Sequence, residues 1–257
     1  MSEKNHRDYG RVARIGIATP QANPTVEPEI RLLLPAGVSM HTSRCCSQGE
    51  PRQRFYDYFA NLAATLKSYD SLKLDALGFA CTASSYLHGT EAENRHREKL
   101  ENQFGYPIIT AASAINDALN HLGAKRIALA CPYPQWLFEI AVRYWQERGF
   151  EIVSAVTLQP KMNDTRAIYN LQVADASTDI LKSFTDVDAD AFVITGTGMP
   201  GLQVILDIQS SKRRPAINSN LCLAWKCLQA ANAPLREHAP TVGLPLLGGW
   251  AEKLSTL

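Results

Sequence analysis

The chain has 257 residues, of which 46% are hydrophobic and 20% are charged, and its formal net charge is +1. Positive and negative residues are well mixed, so the composition predicts neither a nucleic-acid nor a membrane-surface partner. No apolar run reaches the ~18 residues that a membrane-spanning helix needs. The polar start, MSEKNHRDYGR, has no apolar signal segment behind it. We therefore expect a cytoplasmic protein with one large domain or two smaller ones.

Cysteine spacing argues against a metal site or a disulfide framework. The six cysteines are Cys45, Cys46, Cys81, Cys131, Cys222 and Cys227. None forms a Cys-x-x-Cys pair, and no cluster of His, Cys, Asp and Glu has metal-ligand spacing. The glycines of TGTGMPG (195–201) have G-x-G-x-x-G spacing, but they follow the sixth predicted strand and no acidic residue stands at the distance that a dinucleotide site requires, so they are weak evidence for a nucleotide. We predict free thiols, no metal and no cofactor.

Apolar strand-like segments alternate with amphipathic helical segments along the whole chain, which is typical of parallel sheets covered by helices. The predicted strands are VARIGIA (12–18), VSMHTSR (38–44), DALGFAC (75–81), RIALAC (126–131), EIVSAVT (151–157) and DAFVIT (190–195). The predicted helices include 56–69, 91–103, 136–148, 167–184 and 221–231. This pattern predicts the α/β class.

Three segments recur in the same order at a spacing of about 110 residues, which indicates an internal duplication. The pairs are RIGIATP with RIALACP, DALGFAC with DAFVITG, and YPIITAASAINDAL with RPAINSNLCLAWKCL. We therefore predict two pseudo-symmetric parallel-sheet α/β lobes with the site in the cleft between them. The first lobe would comprise 12–115 and 215–257, the second 116–214, and 1–11 would be disordered or loosely held.

The segments that follow the predicted strands point to a site for a small carboxylate. They are TPQANPT (19–25), CTASS (81–85), CPYPQ (131–135), KMNDT (161–165) and TGTGMPG (195–201). Ligands of open α/β sheets bind beyond the carboxyl ends of the strands. These small, hydroxyl-rich and amide-rich segments offer N–H and O–H donors, and helix N-termini favour an anion.

Cys81 ends a predicted strand next to a helix N-terminus, where the dipole is expected to lower the pKa of a thiol. A buried structural cysteine is the alternative. Tyr133 can cover the core edge or clamp a carboxylate, and Asn23 and Asn163 can cap turns or bind ligand. The spacing of His88 from Cys81 does not decide whether it could act as a base.

Taken in order, these segments resemble the aspartate/glutamate racemase superfamily, and within it the maleate isomerase and arylmalonate decarboxylase branch. The resemblance runs from RIGIATPQANPTVEPE through LDALGFACTASSYLHG and RIALACPY to ADAFVITGTG and PAINSNLCLAW, which is nearly the whole chain. It implies a racemase-like fold of two pseudo-symmetric α/β lobes around a cofactor-free site.

The resemblance also assigns residues. Cys81 matches the nucleophilic thiol of maleate isomerase, whereas Gly196 stands at the second-lobe cysteine position, the one that arylmalonate decarboxylase keeps. The residues that match substrate-binding positions of the isomerase are Asn23, Tyr133 and Asn163. Backbone N–H groups that would hold carboxylates and developing charge belong to Thr82, Ala83 and Thr197. We expect Gly196 itself to be one of the substrate-binding residues.

We therefore expect a cofactor-independent cysteine enzyme that acts on a small mono- or dicarboxylate, with a maleate-type cis-trans isomerase favoured. A malonate-type decarboxylase and a cysteine hydrolase of a small amide or enamide are alternatives. A small-carboxylate binding protein without activity is the non-enzymatic alternative. The expected partners are a small carboxylate substrate and further copies of the chain in a homo-oligomer.

Overall fold

The computed structural model describes residues 7–159, 161, 163–233 and 247–256, and contains two four-stranded parallel sheets. The first sheet consists of β1 (Ala13–Pro20), β2 (Val38–Cys45), β3 (Ala76–Phe79) and β4 (Ile108–Thr110) in the order β2-β1-β3-β4. The second consists of β5 (Arg126–Cys131), β6 (Glu151–Thr157), β7 (Ala191–Ile194) and β8 (Ala216–Asn218) in the order β6-β5-β7-β8. The equivalent strand orders confirm the predicted two-lobed α/β fold.

Helices cover both sheets. They are α1 (Val26–Leu33), α2 (Pro51–Ala60), α3 (Leu62–Leu66), α4 (Thr82–Phe104), α5 (Ala111–His121), α6 (Gln135–Glu147), α7 (Val173–Ser183), α8 (Leu202–Lys212), α9 (Ser219–Ala230) and α10 (Trp250–Leu254). Short 3-10 turns lie at Lys67–Tyr69 and Thr165–Asn170, and α4 kinks at Gly89. Within the described ranges, none of these helices is both long and apolar enough to cross a membrane.

The central strands have almost no exposed positions. Every residue of β3 and β7 is buried, as is every residue of β5 after Arg126. Strands covered by helices on both faces read as continuous apolar runs, which is why these segments were readily predicted. The prediction missed β4 and β8, because each has three residues and passes directly into the N-cap of the next helix.

Two predicted helices are interrupted. The predicted helix 56–69 lies across α2, α3 and the 3-10 turn after them. The predicted helix 167–184 is replaced by the 3-10 turn Thr165–Asn170 and then α7, with Gln172 as the N-cap of α7. Hydrophobic periodicity alone does not register such breaks, since both pieces keep their apolar positions near the core.

The chain passes from the first sheet to the second after α5 and returns after β8. After α5 it enters the second sheet, where β8 pairs with β7, and α9 then returns to pack against α5 and β3 of the first lobe. The chain therefore crosses back between β8 and α9. Of the predicted loose segment 1–11, residues 1–6 lie outside the described residues, and Arg7 forms an ion pair with Asp75 at 2.7 Å.

A buried carboxylate joins the lobes beside this crossing. Glu29 of α1 accepts hydrogen bonds from the backbone N–H groups of Gly201 (2.6 Å) and Leu202 (3.1 Å), where α8 begins. Its other oxygen accepts from the amide groups of Asn218 (3.3 Å) and Asn220 (2.7 Å). Burial raises the pKa of Glu29. All four neighbouring groups are nevertheless N–H donors, and the two oxygens of the ionised carboxylate accept their hydrogen bonds.

We expect Glu29→Gln to lower the free energy of unfolding by about 1–3 kcal/mol, because one oxygen becomes an NH2 group that faces other donors. Denaturant unfolding monitored by tryptophan fluorescence measures the change. Glu27→Gln is the matched control on the same helix, since the Glu27 carboxylate pairs with Arg44 near the surface and contributes ~1 kcal/mol or less. Equal losses in the two variants would contradict the interpretation.

Candidate active site

The carboxyl ends of β1, β3, β5 and β7 converge on one small cavity between the lobes, with a volume of about 40 Å³. Seven of the predicted site residues line it: Asn23, Cys81, Thr82, Ala83, Tyr133, Gly196 and Thr197. No Asp, Glu, His, Lys or Arg is among the described residues that line the cavity. The site is therefore formed by neutral donors, one thiol and apolar side chains.

Cys81 is the N-cap of α4 and is 3% exposed. Its sulfur lies 3.2 Å from the Ser84 hydroxyl, which also donates to the backbone carbonyl of Phe55 at 2.8 Å. A hydroxyl has one proton, so Ser84 fully supports a thiolate only when it releases Phe55. His88 does not line the cavity; its ring packs against Phe59, with ring centroids 4.6 Å apart.

The predicted lowering of the thiol pKa is wrong for this structure. Burial raises the pKa of Cys81, although hydrogen bonds from Ser84 and from the backbone of Ser84 and Ala83 favour the thiolate. The sequence indicated the helix N-terminus correctly, but it did not indicate how completely the sulfur is enclosed. Cys81 is consequently a neutral thiol.

Tyr133 reaches the cavity from the second lobe. Its hydroxyl lies 2.7 Å from the hydroxyl of Thr82, the first residue of α4. Burial raises the pKa of Tyr133 well above its ordinary value. The phenol is therefore neutral and can donate one hydrogen bond to Thr82 or to a bound anion.

Asn23 both orders the turn before α1 and lines the cavity. Its carbonyl oxygen accepts from the backbone N–H groups of Thr25 (2.9 Å) and Val26 (3.2 Å), which orients the amide. The NH2 group then donates across the cleft to the Thr197 hydroxyl at 3.3 Å. That hydroxyl in turn donates to the Ala80 carbonyl at 2.8 Å. The two interpretations of Asn23 left open by the sequence are therefore compatible.

Gly196 has a backbone that disfavours any side chain. Its φ angle is +89°, and a Cβ atom placed there would lie 2.6 Å from Cγ of Pro132. The pyrrolidine ring of Pro132 thus occupies the space into which a cysteine at this position would project. This site therefore differs from a two-cysteine site both in the missing sulfur atom and in the shape of the second lobe around Gly196.

The sequence did not predict several residues that line the cavity. Thr165, Ile168 and Tyr169, all from the 3-10 turn, line it together with Phe55 and Leu137. The turn lay partly inside a predicted helix, so its residues were not considered for the site. The signal that was available is the Asn-Asp-Thr sequence before it, where the Asp164 carboxylate caps the turn by accepting from the Arg166 N–H at 2.9 Å.

Asn163 does not line the Cys81 cavity. It lines a second, open cavity of about 550 Å³ beside it, together with Gln21, Arg54, Asp164 and Arg166. The Arg54 guanidinium donates to Asp164 at 2.5 Å, and Arg166 binds the same carboxylate through two nitrogens at 2.6 and 3.0 Å. These hydrogen bonds lower the pKa of Asp164 to about 2, although partial burial opposes them.

Comparison with known proteins agrees with the fold. A family model described as arylmalonate decarboxylase matches residues 15–243. The maleate isomerase of Geobacillus stearothermophilus is 25% identical over 253 residues, which cover 91% of this chain and 97% of that protein. The crystal structure of the maleate isomerase Iso from Pseudomonas putida S16 has a TM-score of 0.81 and 27% identity, over 93% of this chain and 99% of that chain.

A further structural relative shows the fold only. The Nocardia farcinica maleate cis-trans isomerase has a TM-score of 0.79 and 20% identity, over 94% of this chain and 98% of that chain. The variant crystallised in that case has a serine in place of a cysteine and a covalently bound succinylcysteine intermediate.

We expect the rate of Cys81 alkylation by iodoacetamide to keep rising with pH above the range of an ordinary exposed thiol, because burial raises the pKa of Cys81. Peptide mass spectrometry can follow Cys46, the exposed cysteine, as an internal reference in the same samples. Ser84→Ala should shift the Cys81 profile to still higher pH. A Cys81 profile that coincides with that of Cys46 would refute the prediction.

We expect Gly196→Ala to lower the free energy of unfolding by about 2–5 kcal/mol, since positive φ and the overlap with Pro132 both oppose a Cβ atom. Gly105→Ala is the matched control, because Gly105 also has positive φ but has no atom within 4 Å of the added Cβ. The control should lose only about 1–2 kcal/mol. Similar losses in denaturant titrations would show that Pro132 does not restrict the position.

Proposed function

Because the chain belongs to the arylmalonate decarboxylase family, we propose that it is a cysteine-dependent cis-trans isomerase of a small unsaturated dicarboxylate of the maleate type. Two maleate isomerases, from Geobacillus stearothermophilus and Pseudomonas putida S16, align over more than 90% of this chain, which supports the proposal. The observation that carries it is a cavity with one thiol, Cys81, and with Pro132 filling the place of a second.

A substrate carboxylate fits the start of α4. The backbone N–H groups of Thr82 and Ala83 belong to the first helical turn, where the helix dipole favours an anion, and the Ala83 N–H also faces the Cys81 sulfur. The Tyr133 phenol and the Asn23 amide add side-chain donors from the two lobes. In a cavity without charged side chains, such fixed donors are stronger than they would be in water.

The chemistry requires only one sulfur atom. In the proposed step the Cys81 sulfur bonds to one alkene carbon, and the π electron pair moves onto the neighbouring carbon and its carboxylate. The former double bond is then a single bond and rotates. The electron pair returns, the carbon–sulfur bond breaks, and the trans alkene leaves. The succinylcysteine in the Nocardia farcinica enzyme supports a sulfur–carbon bond within this fold; it also has a hydrogen added to the neighbouring carbon, which the step proposed here does not add.

The thiol proton must also be accounted for. Cys81 is a neutral thiol, and no basic side chain is present among the described residues lining the cavity. The nearest acceptor that the proposed complex supplies is the substrate carboxylate itself, which gains negative charge as sulfur attacks. The proton moves from sulfur to that oxygen during addition and returns during expulsion, so the cycle is balanced without a separate base.

Isomerisation fits the second lobe better than decarboxylation does. Loss of CO2 from a malonate leaves a carbanion that must receive a proton on carbon, whereas isomerisation returns the electron pair to the double bond. Gly196 offers no acid, and burial raises the pKa of Tyr133, which makes that phenol a weak proton donor. Hydrolysis through a thioester is also less well supported, since it needs a base beside Cys81. A cytoplasmic location and homo-oligomeric assembly stay predictions.

Proton NMR of the purified protein with maleate in D2O tests this mechanism. We expect fumarate to appear with hydrogen, not deuterium, on both alkene carbons, because no proton is added to carbon. Cys81→Ser should abolish turnover, and Tyr133→Phe should reduce it by about 10- to 100-fold through loss of one donor to the developing charge. Deuterium on an alkene carbon would contradict single-thiol addition and expulsion.

Two other results would replace the proposed function. A deuterated monoacid formed from an alkyl- or arylmalonate, without any fumarate from maleate, would favour the decarboxylase. Line broadening of maleate without any product would favour a carboxylate-binding protein.

A further inference from the structure

The Cys81 cavity, as the structure shows it, is too small for the proposed substrate. Its volume of about 40 Å³ holds only a few water molecules at ~10–15 Å³ each, which is less space than a four-carbon dicarboxylate needs. One carboxylate can use the donors at the start of α4. The second must therefore extend beyond the present wall of the cavity.

Arg54 forms part of that wall. It lies in the first turns of α2, is 5% exposed, and lines the open outer cavity. Its guanidinium lies 3.5 Å from the hydroxyl of Thr165, which lines the Cys81 cavity, and the next residue, Phe55, also lines that cavity. The Arg54–Asp164 pair thus separates the two cavities.

Asp164 can give up Arg54 and still keep a counterion. The Asp164 carboxylate also binds Arg166 through two hydrogen bonds, at 2.6 and 3.0 Å, and these remain if Arg54 leaves. A buried guanidinium needs a new anionic partner when it gives up an old one. A substrate carboxylate that arrives through the wall supplies that partner in a planar, two-oxygen form that suits arginine.

We infer that Arg54 is the specificity-determining residue for dicarboxylates: it exchanges Asp164 for the second carboxylate of the substrate as the wall between the cavities opens. This inference rests on the proposed function, because it assigns the second half of the substrate to the same site. Asn163 lines the outer cavity next to Asp164 and comes into reach of that half of the substrate.

The test measures binding apart from turnover, by calorimetric titration of maleate and of the monocarboxylate cis-crotonate into proteins that carry Cys81→Ala. In that background Arg54→Gln should weaken maleate binding by about 10- to 100-fold, the value of a charged hydrogen bond, and leave cis-crotonate binding within about twofold. Arg54→Lys should recover part of the loss.

Asp164→Asn gives an effect of opposite sign. Asparagine keeps the cap of the 3-10 turn, but it releases Arg54, so maleate binding should tighten by up to about fivefold. Arg52→Gln is the matched control, since Arg52 lies on the same helix, is exposed and lines neither cavity. It should leave both affinities unchanged.

Two results would overturn the inference. One is an Arg54→Gln loss that is equal for maleate and cis-crotonate, which a purely structural role predicts. The other is weaker maleate binding in both the Arg54 and the Asp164 variants. Absence of fumarate formation by the wild-type protein, together with the selective Arg54 effect on binding, would refute the proposed isomerase and leave the dicarboxylate selectivity of Arg54 in place.

Discussion

The hydrogen bonds that hold α1 of the first lobe to the segment 196–202 of the second are the constraint on which the site depends. Glu29 fixes the start of α8, and Asn220 donates to both the Glu29 carboxylate and the Thr197 carbonyl. Thr25 donates to the Gly198 carbonyl at 2.8 Å. Asn23, in the turn before the same helix, donates from its amide to the Thr197 hydroxyl. These hydrogen bonds hold the two lobes in one relative position at the cavity, because a shift of either lobe would leave buried donors without acceptors.

In this site the negative charge is expected to come from the bound carboxylate and not from the side chains that line the cavity. The described cavity lining has no charged side chain, and burial raises the pKa of both Cys81 and Tyr133, so both are neutral. An empty cavity with ionised groups would have a large desolvation penalty. Neutral donors avoid this penalty and still stabilise an anion once water is excluded. Arg54, whose guanidinium lies beside Thr165 of the cavity lining, is paired with the Asp164 carboxylate.

The fold and most of the cavity could be predicted from the sequence because both depend on local patterns. Buried strands, their repeat and the small polar residues after them locate the strand ends that converge on Cys81. What could not be predicted depends on tertiary packing. The sequence does not reveal that Tyr169 covers the cavity from a 3-10 turn, nor that Asp164 is held between two arginines. The thiol pKa was predicted with the wrong sign because a motif shows the helix dipole, whereas burial depends on the whole enclosure.

Gly196 connects the shape of the second lobe with the chemistry available to the first. A residue at positive φ, with a proline ring in the space that a side chain needs, leaves one thiol to act on the substrate. One thiol is sufficient for a reaction in which the π electron pair is displaced when sulfur adds to the alkene and returns to the double bond when sulfur leaves. Reactions that end with a new carbon–hydrogen bond need an acid to protonate that carbon, and Gly196 supplies none. The chain therefore keeps the reactive half of the two-lobed site and restricts it, by backbone conformation, to addition and expulsion at Cys81.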